Sequence, residues 1–218
     1  MVPFLIIFAA WAVVHSVTAA VGLKRIFRGR FGEKAYAGWY RLLYNLFSVL
    51  TFLPVYFLIP VLLPQTIIWQ WTRPSAFIAL FIQISAIIGL IYSLWVTDIW
   101  DFIGIRQVIW YFRGAEENTR IPNFTVNGPY AFVRHPLYFF SLLILWLNPV
   151  MTVGSLVFYL GATLYFWIGS YYEEKKLAAH FGPAYRDYQQ RVPRLIPLPI
   201  RRYSKPDHIS EVSETSEM

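Results

Sequence analysis

The chain has 218 residues, 57% hydrophobic and 19% aromatic, with a formal net charge of +7 and no cysteine. Apolar content at this level, held in long charge-free blocks, excludes an ordinary soluble domain. The absence of thiols excludes disulfides, thiolate metal sites, a cysteine nucleophile and a prenylated carboxyl terminus.

Charges are missing from residues 1–23, 42–72, 74–97 and 136–172, and each block is long enough to cross a bilayer at least once. The basic residues fall between these blocks. They are therefore assigned to the positive-inside bias of membrane proteins and not to nucleic-acid binding. Placing residues 24–41, 98–135 and the segment after 172 in the cytoplasm puts every Lys and Arg except Arg73 inside. The expectation is an all-α integral membrane protein with about five transmembrane helices, including a C-terminal helical hairpin, plus short amphipathic cytoplasmic helices. Residues 1–97 hold three helices, 98–203 hold the hairpin and a polar site, and 204–218, rich in Ser and Glu, read as a disordered tail within one overall domain.

In chain order, Val2 to Leu23 lacks a basic lead-in and a small-residue cleavage site, so it reads as a retained helix. His15 within it is expected to face protein, as a packing group or a substrate contact. LKRIFRGRFGEKAYAGWYR reads as an interfacial cytoplasmic loop. The second span carries Pro54 and Pro60 and is expected to kink. Trp69 and Trp71 beside Arg73 read as an interfacial belt. Asp98 and Asp101, three apart, are expected to share a helix face with Arg106 as partner to either; Arg106 or Gln107 lining a polar site is the functional alternative. AEENTRIPN, residues 115–123, reads as a polar loop.

From Pro136 to Tyr172 the chain runs about 37 residues without a charge, roughly 55 Å as one helix at 1.5 Å per residue and nearly twice the hydrocarbon thickness. Asn148-Pro149 interrupts it, so it should fold as a hairpin. Arg134 and His135 then meet Glu173 and Glu174 at one membrane surface. Such a cluster suits a zwitterionic or cationic ligand, or equally a structural set of salt bridges. Four scattered histidines show no metal-ligand spacing, and no metal is expected. Leu177, Phe181, Tyr185 and Tyr188 form a helical stripe broken at Gly182-Pro183, read as two short amphipathic helices roofing the site.

GPYxxVRHPLY, an apolar hairpin, then EExxLxxHFGxxYxxYxxRVPRLIP resembles the carboxyl-terminal signature of membrane methyltransferases that include isoprenylcysteine carboxyl and phospholipid methyltransferases. It covers roughly residues 124–197. The wider pattern of HS in the first helix, FIGIRQV, the following RG and NPVMTVG looks most like bacterial methanethiol S-methyltransferases. The resemblance implies S-adenosylmethionine as cofactor and a small or lipid-soluble methyl acceptor, within a bacterial cytoplasmic membrane and with the site and carboxyl terminus cytoplasmic. It implies cofactor contacts at Tyr130, His135, Pro136, Leu137 and Tyr138 and at one carboxylate of the pair Glu173 and Glu174. Arg134 or Arg106 would stabilise a thiolate and His135 or His15 would accept its proton.

One departure bears on the acceptor. The isoprenylcysteine enzymes look to carry an arginine on the last membrane helix, whereas no basic residue lies between Arg134 and Lys175. A prenylcysteine carboxylate lacks that partner, and a small or apolar thiol is favoured. Prenylcysteine or phospholipid methylation, a nicotinamide-dependent sterol-type reductase and a non-catalytic accessory protein are the alternatives.

Overall fold

A computed structural model describes residues 1–114, 124–198 and 203. The loop expected at 115–123 and the tail expected at 204–218 lie outside the described residues. The protein is an all-α integral membrane protein, and among the described residues four helices are long and apolar enough to cross a bilayer, Val2–Ala19, Glu33–Leu62, Arg73–Val96 and Val153–Arg191. The fifth expected span, the first limb of the hairpin, is an 11-residue apolar helix, Pro136–Trp146. At 1.5 Å per residue it covers about 16 Å, half the hydrocarbon thickness. Two compact units are present, each built from separated stretches of chain.

The first unit comprises Met1–Thr72, Thr97–Ile121 and Pro149–Leu160. In it α1 (Val2–Ala19) leads through Ala20 into α2 (Val21–Phe31), and Gly32 at φ 84° turns the chain into α3 (Glu33–Phe57). The basic stretch expected as a loop is therefore helical on both sides of Gly32. Its charges lie on helix surfaces, which a loop reading based on charge density could not anticipate. Pro54 is carried inside α3, which breaks at Leu58 before the single turn of α4 (Ile59–Leu62). His15 faces protein: its Nε2 lies 2.8 Å from the Tyr44 hydroxyl and its ring stacks on Trp11.

Asp98 and Asp101 do not share a helix face. Asp98, at φ 65°, caps α6 (Ile99–Ile103) by accepting from the Asp101 backbone N–H, the commonest use of an aspartate at a helix start. The two carboxylates then take different partners: Asp98 pairs with Arg106 at 2.5 Å, while Asp101 pairs with Arg41 and accepts from Gln107. Gly104, at φ 100°, separates α6 from α7 (Ile105–Arg113) and sits against the backbone of α3, where an added Cβ would lie 2.5 Å from the Leu42 nitrogen. The backbone conformation and the contact both require glycine. Gly104→Ala is expected to destabilise the protein by about 2 kcal/mol or more, read as a lowered thermal midpoint of purified protein in detergent.

The sequence also conceals a small antiparallel ribbon. β1 (Ile67–Gln70) pairs with β2 (Val150–Thr152) in the register Ile67 to Thr152, Trp69 to Met151 and Gln70 to Val150. It engages Trp69, expected as an interfacial anchor, and takes up the residues just after the Asn148-Pro149 break.

The second unit comprises Arg73–Val96, Pro122–Asn148 and Gly161–Met218. Its α5 (Arg73–Val96) buries Ala79, Ala86 and Ser93, spaced seven apart, and exposes Phe77, Phe81, Ile88 and Trp95. Small residues let α5 approach α8 (Pro136–Trp146) closely, as helices do where lipid supplies no hydrophobic drive; a Cβ on Gly89 would fall 2.5 Å from the Phe140 ring. The hairpin closes as expected, with Trp146 Nε1 donating to Thr163 Oγ1 and Tyr138 stacked on Phe166. Its second limb is α9 (Val153–Arg191), which runs on without a break past the glutamates to Gly182, where φ 57° and ψ −130° bend it. The first of the two expected roof helices is thus the end of the long helix itself. Beyond the bend Tyr185, Tyr188 and Val192 are buried with Tyr203 against Phe124, Val126, Leu177 and Phe181, so the apolar stripe is the core of this end of the unit.

Candidate functional site

The local geometry begins at Gly128, whose φ of 58° starts a 3-10 turn, Gly128–Ala131. Pro129 occupies a first-turn position that tolerates a missing N–H. After the turn His135, at φ −120° and ψ 67°, stays outside the helical region, as a residue before proline does, and Pro136 opens α8. The backbone N–H groups of Arg134 and His135 donate to the carbonyls of Pro193 and Arg194 at 2.9 and 3.1 Å. The RVPR segment after α9 is therefore laid along the RHP segment before α8. The Tyr188 hydroxyl adds a further tie by donating to the Tyr130 carbonyl at 2.6 Å.

Six side chains converge on this frame. Arg134 grips Glu174 with two parallel bonds, Nε to Oε1 at 2.7 Å and Nη2 to Oε2 at 3.0 Å. Its Nη1 donates to the carbonyls of Gln189 and Val192. Both side chains are about 10% exposed, which makes this a buried pair. His135, 6% exposed, places Nε2 3.2 Å from Glu174 and Nδ1 3.5 Å from Glu173. Its ring stacks on Tyr138 at 5.4 Å with planes 3° apart, and the Tyr138 hydroxyl donates to Glu173. Gln189 completes the shell of Glu174 by donating to Oε2 at 3.1 Å. Glu173 alone opens outward, its side chain 48% exposed.

The structure thus brings Arg134, His135, Tyr138, Glu173 and Glu174 into one hydrogen-bonded cluster. Pro136 is buried at the helix start beside it and Leu137 is half-buried. Tyr130 is held by its carbonyl. Arg106 belongs to the first unit, where Asp98 is its partner, and His15 lies there with Tyr44. Gln189 and the carbonyls of Gln189, Val192, Pro193 and Arg194 were missed in the sequence. Backbone acceptors carry no side-chain signature, and Gln189 gave no signal of its own beside Gln190.

With a carboxylate at each ring nitrogen, His135 is placed as an imidazolium donating in both directions. Burial alone would lower its pKa, but the hydrogen bonds and charges of Glu173 and Glu174 outweigh it and raise the pKa above the ordinary 6.5. A group whose folded pKa is raised stabilises the fold fully below its unfolded value and loses that contribution as pH rises through the folded one. The thermal midpoint of the wild type is therefore expected to fall more than that of His135→Asn as the pH rises above about 6.5. Equal slopes for the two proteins would show that His135 is neutral in the fold.

Among curated proteins, the chain is similar to Methanethiol S-methyltransferase 2 of Bradyrhizobium diazoefficiens, 32% identical over 209 residues that cover 94% of this chain and 76% of that protein. It is likewise similar to the Methanethiol S-methyltransferase of Mycobacterium tuberculosis, 31% identical over 205 residues, 90% of this chain and 78% of that one. A shorter match, 40% identical over 107 residues, relates 49% of the chain to 41% of the Methanethiol S-methyltransferase of Crocosphaera subtropica. No protein-family model matches the chain, and no solved structure matches it.

Proposed function

The chain belongs to the methanethiol S-methyltransferase family, and we propose that it methylates methanethiol with S-adenosylmethionine at the cluster around His135 and Glu174. The observation that carries this reading is the joining of two separated motifs, RHPLY and EE, into one hydrogen-bonded group in a chain whose relatives match along most of its length.

The donor set fits such a cofactor. Glu173 is a half-exposed carboxylate held by His135 and Tyr138, suited to an ammonium or sulfonium, while Tyr130, Leu137 and Tyr138 offer apolar and aromatic surface near it and Pro136 is buried. Bound there, S-adenosylmethionine would supply an electrophilic methyl group on a positively charged sulfur. Glu174 does not need to touch it. With Arg134 and Gln189 around it, Glu174 fixes His135, and His135 in turn fixes Glu173. Such prior fixing of charge and orientation is what a displacement reaction chiefly requires of a protein. Arg134 has four of its five N–H donors committed to Glu174 and to two carbonyls, and both nitrogens of His135 face carboxylates. Their role is therefore to hold Glu173 and Glu174, while the thiol gives its proton to solvent before its sulfur attacks. The positive-inside distribution supports a cytoplasmic site and carboxyl terminus in a bacterial membrane.

The test is transfer of label from S-adenosylmethionine by purified protein in lipid, offered methanethiol, a prenylcysteine and phosphatidylethanolamine in parallel. Labelled dimethyl sulfide is expected. Label in prenylcysteine or lipid, with none in the sulfide, would overturn the choice of acceptor.

A further inference from the structure

Beside the charged cluster the second unit contains a cavity of about 450 Å³. Its walls include Tyr92 of α5, Gly128, Phe132 and Val133 of the turn segment, and Phe139 and Phe140 of α8. The seven residues from Val133 to Phe139 thus serve both features. Arg134, His135 and Tyr138 point to the glutamates, while Val133 and Phe139 at either end line the cavity.

Size and lining bear on what fits. The volume is of the order of fifteen times the roughly 30 Å³ that a water molecule occupies in the liquid, and it falls in the range of small-molecule pockets. Methanethiol has two heavy atoms and would leave most of it empty. Among the described residues no charged side chain lines the cavity, and the Tyr92 hydroxyl is the one polar side-chain group in its wall. A carboxylate or ammonium on the occupant would be left unpaired there, whereas an alkyl or aryl chain would be removed from water.

We infer that this cavity receives the hydrocarbon part of the methyl acceptor, so that the enzyme methylates apolar thiols larger than methanethiol. This rests on the thiol methyltransferase reading above. The acceptor's S–H proton passes to solvent, and its sulfur forms the new bond to the methyl carbon as the donor's sulfonium C–S bond breaks. The products are an alkyl methyl sulfide and S-adenosylhomocysteine.

The experiment measures kcat/KM for the unbranched thiols from methanethiol to butanethiol, with the wild type and with Phe132→Trp and Phe139→Trp, either of which narrows the cavity. Each methylene buried is expected to raise kcat/KM about fourfold in the wild type. The ratio of butanethiol to methanethiol is expected to fall at least about tenfold in the variants. Partitioning of longer thiols into the lipid is the same for all three proteins, so that fall reports on the cavity alone. Methanethiol turnover with no gain from longer chains, or a ratio unchanged in both variants, would overturn this inference and leave the proposed function standing. A KM for S-adenosylmethionine raised equally with every acceptor would also overturn it, by assigning the cavity to the methyl donor. No turnover of any thiol would overturn the proposed function itself.

Discussion

Glu174→Ala is expected to abolish methyl transfer and to lower the stability of the second unit by about 3–5 kcal/mol, the usual result of removing one partner of a buried ion pair. The size of the effect follows from what the carboxylate joins. It accepts from Arg134 through both oxygens and from Gln189, and it faces His135. Without it the Arg134 guanidinium, about 10% exposed, keeps its charge but loses the partner that offsets its desolvation. His135 also loses one of the two carboxylates that hold its ring, so Glu173 is no longer fixed from below. Glu174→Gln keeps the size of the side chain, but it removes the charge and turns one of the two acceptor oxygens into an amide donor. It is expected to recover part of the thermal stability and little of the S-adenosylmethionine affinity, measured as the detergent melting midpoint and by equilibrium binding. Glu173→Gln, at a half-exposed position, should do the reverse, costing affinity with little change in melting. Equal losses in both quantities for both glutamates would contradict the division into an inner, structural carboxylate and an outer, ligand-facing one.

The meeting of Arg134 and His135 with the glutamates was legible because one simple constraint governs it: a charge-free run twice too long for the bilayer, with Asn-Pro inside it, has to return. Less legible was how the run returns. The outgoing limb is an 11-residue helix, and the chain after the Asn-Pro break enters a ribbon strand of three residues, too short for any periodicity to register. The basic stretch around Gly32 was misread because charge density marks an interface without distinguishing loop from helix. Asp98 and Asp101 were placed on one face by their spacing, yet a capping aspartate stands outside the helix it starts, and spacing counts only within a helix. The apolar stripe from Leu177 to Tyr188 was read with the right period but given the role of a roof, when its partners Phe124 and Val126 make it a core. That partnership lies in tertiary packing between segments fifty residues apart and has no local sequence trace.

The second large effect is expected at Arg134, where lysine should fail almost as fully as alanine. A lysine keeps the charge, but it cannot reproduce a planar fork that meets both oxygens of Glu174 and at the same time reaches the carbonyls of Gln189 and Val192. Those carbonyls lie at the end of α9, and the following Pro193 and Arg194 carbonyls hold the backbone of Arg134 and His135. Arg134 therefore fastens the end of the long helix to the RHP segment through side chain and main chain together. Arg134→Lys is expected to cost about 2–4 kcal/mol of stability and to raise the KM for S-adenosylmethionine by an order of magnitude or more. The pH dependence of turnover separates this positioning role from direct stabilisation of a thiolate. If Arg134 acted on the acceptor, the lysine variant would shift the apparent pKa of the bound thiol in the kcat profile, which reports groups in the enzyme–substrate complex, and the shift would be the same for every thiol tested. Positioning alone predicts a lowered profile of unchanged shape, which still follows the acidity of whichever thiol is supplied.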